Sequence, residues 1–125
     1  MDKVTNLRNL QPQERKAILA LLEILEKKLL HSIRHVVLFG SKARGDSDAE
    51  SDIDLLIVVE EYSWALEKEI TRLTTQADYA HNVVLSDHII GKARFEQMAA
   101  RREPLYCNLE REGIDLWTLE SHSIT

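Results

Sequence analysis

Two short segments of the chain carry residue types suited to phosphate and metal chemistry. Residues 40–45, with the sequence GSKARG, follow an apolar run, and residues 51–55, with the sequence SDIDL, begin another. A glycine lets the backbone approach a ligand closely, and two carboxylates one residue apart offer hard oxygen ligands to a divalent cation. Together the two segments predict a nucleoside triphosphate site built for nucleotidyl transfer.

The acidic pair lies at the start of a predicted strand. Side chains alternate along a strand, so Asp52 and Asp54 point to the same face, about 6.5–7 Å apart at the backbone. We expect both to bind Mg²⁺ or Mn²⁺, which takes its other ligands from water and substrate phosphates. Two such ions would activate a nucleophile and stabilise the leaving oxygen. The opposite face is apolar and consists of Ile53, Leu55, Ile57 and Val59.

The glycine-serine segment is predicted to bind the phosphates. Gly40 and Ser41 end a strand and lead into a turn, where N–H groups at a helix start favour an anion. The Ser41 hydroxyl adds a donor. Lys42 and Arg44 supply positive charge, and Arg44 is the better clamp because a guanidinium binds phosphate bidentately.

Hydrophobic periodicity predicts the elements that position these residues. A helix of about five turns starts near Pro12, which is tolerated in a first turn. Apolar runs predict strands over 35–39, 53–59 and 83–90, and an extended segment over 114–119. Apolar residues at helical spacing predict helices over 64–77, 92–101 and 104–113. The polar residues 46–51 predict a loop. Strands interleaved with helices predict an α/β fold in which helices pack on a small sheet.

Bulk properties limit the class of protein. The 125 residues suffice for one domain with a core. A net charge of −5 argues against a duplex-DNA binder, which normally has a basic face. No apolar run approaches the roughly 20 residues of a membrane span, and residues 1–10 do not read as a signal peptide. The single cysteine suits a reducing compartment, so we expect a cytoplasmic protein without a membrane partner.

The motif itself carries a resemblance. Gly-Ser, ten further residues and Asp-x-Asp resemble the signature of the DNA-polymerase-β-like nucleotidyltransferase superfamily. The resemblance includes the Ala-Arg-Gly after Gly-Ser and the serine before the first aspartate. It extends over about residues 15–118, but only residues 40–55 are specific. The short chain is similar to the minimal nucleotidyltransferases (MNT) of this superfamily.

The resemblance implies a fold, a reaction and a partner. The fold would be a mixed sheet flanked by helices, within a single domain over 1–125 whose motif core is 36–90. Gly40 and Ser41 would hold the triphosphate, and Asp52 and Asp54 would bind two Mg²⁺ ions. The reaction would move a nucleoside monophosphate from ATP, or a related triphosphate, to an acceptor. Many MNT proteins are antitoxins that add AMP to a tyrosine of a HEPN-type ribonuclease toxin.

The superfamily usually has a third carboxylate on a later strand, and three readings of this chain stay open. Asn82 stands at the early position of the third predicted strand. Asp87 lies five residues later, on the opposite face unless a bulge corrects the register. Asp78 precedes the strand. Asp87 is therefore a candidate catalytic acid, Asp78 is a second candidate, and the third acid is otherwise missing.

Three functions follow, in order of preference. The first is a Mg²⁺-dependent antitoxin that adenylylates a HEPN-type toxin. The second is a degenerate nucleotidyltransferase that neutralises or scaffolds its partner by contact alone. The third is a small-molecule nucleotidyltransferase, which normally needs a further substrate-binding domain. A homo-oligomer that places a neighbouring copy over the cleft would revive this third reading.

Overall fold

A computed structural model of the chain describes residues 9–45 and 52–117. In this part of the chain helices and strands alternate, apart from two consecutive helices near its end, as the periodicity predicts. The elements are α1 (Pro12–Leu29), β1 (Ile33–Phe39), α2 (Ser41–Arg44), β2 (Ile53–Val59), α3 (Trp64–His81), β3 (Leu85–Gly91), α4 (Lys92–Ala100), α5 (Pro104–Glu112) and β4 (Ile114–Asp115).

The strands form one mixed sheet in the order β3-β2-β1-β4. Strand β1 is antiparallel to β2 and to β4, whereas β2 and β3 are parallel. Parallel neighbours need a long crossover connection, usually a helix, and α3 provides it. The predicted α/β class, with a mixed sheet flanked by helices, is confirmed.

Strand β2 is buried on both faces because helices cover both sides of the sheet. Helices α1 and α3 pack on one face and build the larger hydrophobic cluster around Leu55 and Ile57. On the other face, Leu56 and Val58 pack with Leu109 of α5 in a smaller cluster. The only charged residue of β2 is Asp54, so the strand carries one costly group in an apolar setting.

Helix α1 begins as its sequence predicts. Pro12 stands in the first turn, where its missing N–H costs nothing, and Glu14 closes a capping box with Gln11. Lys27 and Lys28 lie in the last turn, where positive charge complements the helix dipole.

The structure revises several predicted boundaries. Helix α3 continues to His81, four residues beyond the prediction, and ends at Asn82 in the left-handed conformation (φ 55°). Strand β3 therefore starts only at Leu85, and Asn82 does not lie on it. The predicted extended segment 114–119 is a strand only at 114–115, since the next two residues are helical. The predicted loop 46–51 and residues 118–119 lie outside the described residues.

Within the described ranges, no helix combines the length and the apolar character that crossing a membrane requires.

Candidate active site

The structure brings the two motif segments into direct contact. Phe39 at the end of β1 is the partner of Asp54 near the start of β2 in the antiparallel ladder. The next residue, Gly40, has φ 80° and ψ −159°, a region that only glycine adopts readily. A Cβ atom at Gly40 would stand 2.5 Å from Asp54 Oδ2. The glycine is thus required both by its backbone conformation and by the carboxylate beside it.

Residues 40–45 form a tight turn that we call the GSKARG loop. The N–H groups of Ala43 and Arg44 both donate to the Gly40 carbonyl at 3.1 Å, and the Gly45 N–H donates to the Ser41 carbonyl at 2.8 Å. Gly45 closes the turn in the left-handed conformation (φ 87°). The turn that the sequence predicts after Gly40 and Ser41 is a short helix, and it begins at Ser41.

Lys42 does not face the open side of the loop. Its side chain is 2% exposed, and its Nζ lies 2.6 Å from Glu14 Oε2 of α1. We expected Lys42 to offer its charge to a triphosphate, and the structure corrects this expectation. The reason is the ion pair with Glu14, which holds the lysine inward against α1.

Arg44 is exposed, and it is close enough to Asp54 for its charge to act on that carboxyl. Its Nη1 is 3.0 Å from Glu112 Oε2, so it links the GSKARG loop to the end of α5. Its positive charge also lowers the pKa of Asp54, although by less than the other influences on that group. Arg44 therefore stands where a phosphate held beside Asp54 could meet it.

The two predicted metal ligands differ in environment. Asp52 is exposed immediately before β2, and Asp54 is partly buried within it. Burial is the main cause that raises the pKa of Asp54; the charge of His88 opposes this, and the like charge of Asp52 adds to it. Two close carboxylates, one of them poorly solvated, are stabilised by a cation. Their hard oxygens fit Mg²⁺ or Mn²⁺.

Asp87 does not join this pair. Strands β2 and β3 pair without a register shift, so Asp54 lies beside Ser86 and Asp87 beside Leu55. Because side chains alternate, Asp87 points to the opposite face of the sheet from Asp54, where it accepts a hydrogen bond of 3.1 Å from Thr71 Oγ1 of α3. No bulge corrects the register, so the structure matches the expectation for a regular strand, which leaves Asp87 off the Asp54 face.

The other residues considered for the third acid occupy different places. Asn82 caps α3 rather than lying on β3. Asp78 accepts a hydrogen bond from the Leu85 N–H at 2.9 Å. Burial raises the pKa of Asp78; the hydrogen bond opposes this, and the charges of Asp87 and Asp52 add to it. Among the described residues, no three His, Cys, Asp or Glu side chains group closely enough to hold a metal ion.

Ser86, His88 and Ile90 of β3 share a face with Asp54, and none of them was among the predicted site residues. His88 is exposed, its ring centroid lies 5.8 Å from that of Phe39, and its Nε2 lies 3.4 Å from Ser86 Oγ. Their alternation with Asp87 was visible in the sequence. The parallel register that aligns them with Asp54 was not.

Comparison with known families bears on this arrangement. The model of the family described as "Polymerase beta, Nucleotidyltransferase" matches residues 20–116, which contain both motif segments and the whole sheet. The chain belongs to this nucleotidyltransferase family.

Individual relatives agree with the family. Two proteins of Methanocaldococcus jannaschii, "Putative protein adenylyltransferase MJ0141" and "Putative protein adenylyltransferase MJ0604", are 38% identical over 65 residues and 51% identical over 45 residues. These matches cover 51% and 36% of this chain, and 66% and 45% of the relatives, so the first spans just under two thirds of its relative. A solved structure described as "a putative nucleotidyltransferase from Sulfolobus solfataricus" has a TM-score of 0.47 and 18% identity, covering 86% of this chain and 88% of that one.

Proposed function

We propose that this nucleotidyltransferase is a protein adenylyltransferase that transfers AMP from ATP to a partner protein. The observation that carries the proposal is the contact between Gly40 and Asp54, which joins a phosphate-binding turn to a carboxylate pair. The names of the two archaeal relatives support adenylyl transfer to a protein. The resemblance to MNT antitoxins makes a HEPN-type toxin in the cytoplasm the expected partner.

The residues of the site divide the work of such a reaction. Gly40 leaves room for a phosphate beside the backbone, and the Ser41 hydroxyl and Arg44 offer donors to phosphate oxygens. Asp52 and Asp54 would hold Mg²⁺ or Mn²⁺. A bound divalent cation supplies charge stabilisation on the phosphates. The acceptor oxygen forms a bond to the α-phosphorus, pyrophosphate leaves with the electrons of the broken bond, and the acceptor proton passes to solvent or a nearby base.

The test is intact mass spectrometry of a co-purified HEPN-type partner after incubation with the protein, ATP and Mg²⁺. We expect an AMP-sized mass increase that Asp52→Asn abolishes, because the variant keeps the shape of the side chain but loses its charge. Ala93→Gly, an exposed change on α4, is the matched control and should leave the increase intact. A mass increase that is equal with Asp52→Asn would contradict the metal assignment.

A second function is favoured by two observations. Asp87 lies on the face of the sheet opposite to Asp54, and the described residues hold no group of three metal-binding side chains. A chain with two acids could neutralise its partner by contact alone. In that case Asp52→Asn would still block the toxin and the partner would gain no mass. Loss of neutralisation with the complex retained would instead support catalysis.

A further inference from the structure

The most deeply buried ion pair described in the structure lies behind the GSKARG loop. Lys42 Nζ and Glu14 Oε2 are 2.6 Å apart, and the two side chains are only 2% and 6% exposed. The second carboxylate oxygen of Glu14 accepts the Gln11 N–H at 2.8 Å. Both oxygens of Glu14 are therefore used, one for the start of α1 and one for the loop.

The ion pair determines how the loop faces solvent. Successive residues of a helical turn are about 100° apart, so holding Lys42 inward turns Ser41 to one side and Arg44 about 200° away. The exposures agree, because Lys42 is buried, Ser41 is half-buried and Arg44 is exposed. A loop that rotated about its axis would move the Ser41 hydroxyl and the Arg44 guanidinium together.

Helix α1, which the GSKARG loop contacts through Glu14, is anchored in the hydrophobic core. Beyond Glu14, helix α1 lies in the main hydrophobic cluster through Ile18, Leu21 and Leu25, each at most 1% exposed. On the chain before α1, Asn9 lies against Gly45, where a Cβ atom would be 2.9 Å from Asn9 Nδ2. The GSKARG loop thus contacts α1 at its third residue, Lys42, and contacts the segment just before α1 at its last residue, Gly45.

We propose that Glu14 is a positioning residue of the nucleotide site, which acts through Lys42 to hold Ser41 and Arg44 toward the triphosphate. This inference rests on the proposed function for its nucleotide. Stability alone is a weak explanation, because a buried ion pair is often no better than well-packed apolar residues of similar volume. An ion pair differs from an apolar pair in that it fixes direction as well as distance.

The experiment measures backbone hydrogen exchange of residues 41–45 and equilibrium binding of ATP with Mg²⁺, using the full chain. Glu14→Gln keeps an oxygen for the Gln11 N–H but removes the charge that Lys42 faces. We expect loop exchange at least about 10-fold faster and ATP affinity about 10-fold weaker, which corresponds to roughly one lost charge-assisted hydrogen bond. Leu25→Ala, in the core segment of the same helix, is the matched control and should change neither the loop exchange relative to the sheet nor the ATP affinity.

The outcomes separate the two proposals. Unchanged loop exchange in Glu14→Gln, or faster exchange with wild-type ATP affinity, overturns the positioning role. Absence of ATP binding by the wild-type protein overturns the proposed function. The exchange data then show only whether Glu14 holds the GSKARG loop in place. If Glu14→Gln does not fold, the double variant Glu14→Met/Lys42→Met replaces the ion pair with an apolar pair. It should fold and still bind ATP more weakly, and wild-type affinity in that variant contradicts the proposal.

Discussion

At the scale of single residues, the site depends on a glycine that has no substitute. Gly40 combines a backbone conformation reserved for glycine with a gap of only 2.5 Å between its missing Cβ position and Asp54 Oδ2. Such strained conformations cost other residues about 1–3 kcal/mol, and the carboxylate must also move. The packing that joins the two motif segments therefore also prevents ordinary substitution.

Gly40→Ala should lower the free energy of unfolding by about 1–3 kcal/mol and abolish nucleotidyl transfer. The loss of activity follows because Asp54 is displaced by the new methyl group. Urea denaturation and the mass-spectrometric transfer assay measure the two effects. Ala93→Gly costs up to about 1 kcal/mol as a helix substitution and should stay active. An active Gly40→Ala protein would show that Asp54 need not stay where it is.

Asp54→Asn should make the protein more stable near neutral pH when EDTA removes metal ions. The folded protein raises the pKa of Asp54 above its ordinary value, chiefly by burial. The folded state thus holds this proton more tightly than the unfolded state does, and ionisation at higher pH reduces stability.

The stability gain of Asp54→Asn should be largest at about pH 7 and should vanish at about pH 3, where the carboxyl is protonated in both states. Thermal unfolding across this range measures it. Asp87→Asn is the control, because Asp87 lies on the face of the sheet opposite to Asp54. A variant that is less stable than the wild type at neutral pH, or a gain that does not depend on pH, would contradict the assigned cause.

At the scale of secondary structure elements, the register between β2 and β3 decides which side chains enter the site. It places Ser86 beside Asp54 and aligns Asp87 with Leu55, on the face that α1 and α3 cover. The hydrogen bond from Thr71 then ties Asp87 to α3. Asp87 is consequently a candidate for joining α3 to the sheet rather than for binding a metal ion.

Asp87→Asn should retain nucleotidyl transfer close to the wild-type rate. Removing the charge from the Thr71 hydrogen bond should cost about 0.5–1.5 kcal/mol of stability or less, since the pair is exposed. The transfer assay and urea denaturation, run beside Asp52→Asn, measure both. An inactive but folded Asp87→Asn protein would return Asp87 to the list of catalytic acids and would require β3 to change register when the substrate binds.

At the scale of the whole molecule, helices on both faces of the sheet make β2 the centre of the core. Leu55 and Ile57 face α1 and α3, and Leu56 and Val58 face the α4 and α5 side. The acidic pair stands at the start of this buried strand. The position of the carboxylates is therefore set by packing throughout the domain.

Leu55→Ala should lower the free energy of unfolding by about 2–5 kcal/mol, because it leaves a cavity where the fully buried leucine side chain was. Urea denaturation measures the loss. Val84→Ala is the control, since Val84 is 58% exposed and a surface change of this kind stays within about 0.5 kcal/mol. Similar losses in both variants would contradict the cavity as the cause of the Leu55→Ala loss.

Much of this protein could be predicted from its sequence because the decisive signals are local. Proline in the first turn marks the start of α1, and apolar runs mark β1 and β2. The spacing of Gly40, Ser41, Asp52 and Asp54 predicts nucleotidyl-transfer chemistry. Backbone conformation and side-chain alternation act over a few residues, so these features need no knowledge of distant contacts.

Tertiary structure alone decided the features that depend on partners distant in the sequence. Lys42 is buried because α1 presents Glu14 to it, 28 positions earlier in the chain. Asp87 leaves the site, and Ser86 and His88 enter it, because β3 pairs with β2 in one register. A lysine beside a phosphate-binding turn and an aspartate on a third strand are both plausible ligands by type. Their roles depend on the neighbouring element that each side chain meets, which local sequence patterns do not specify.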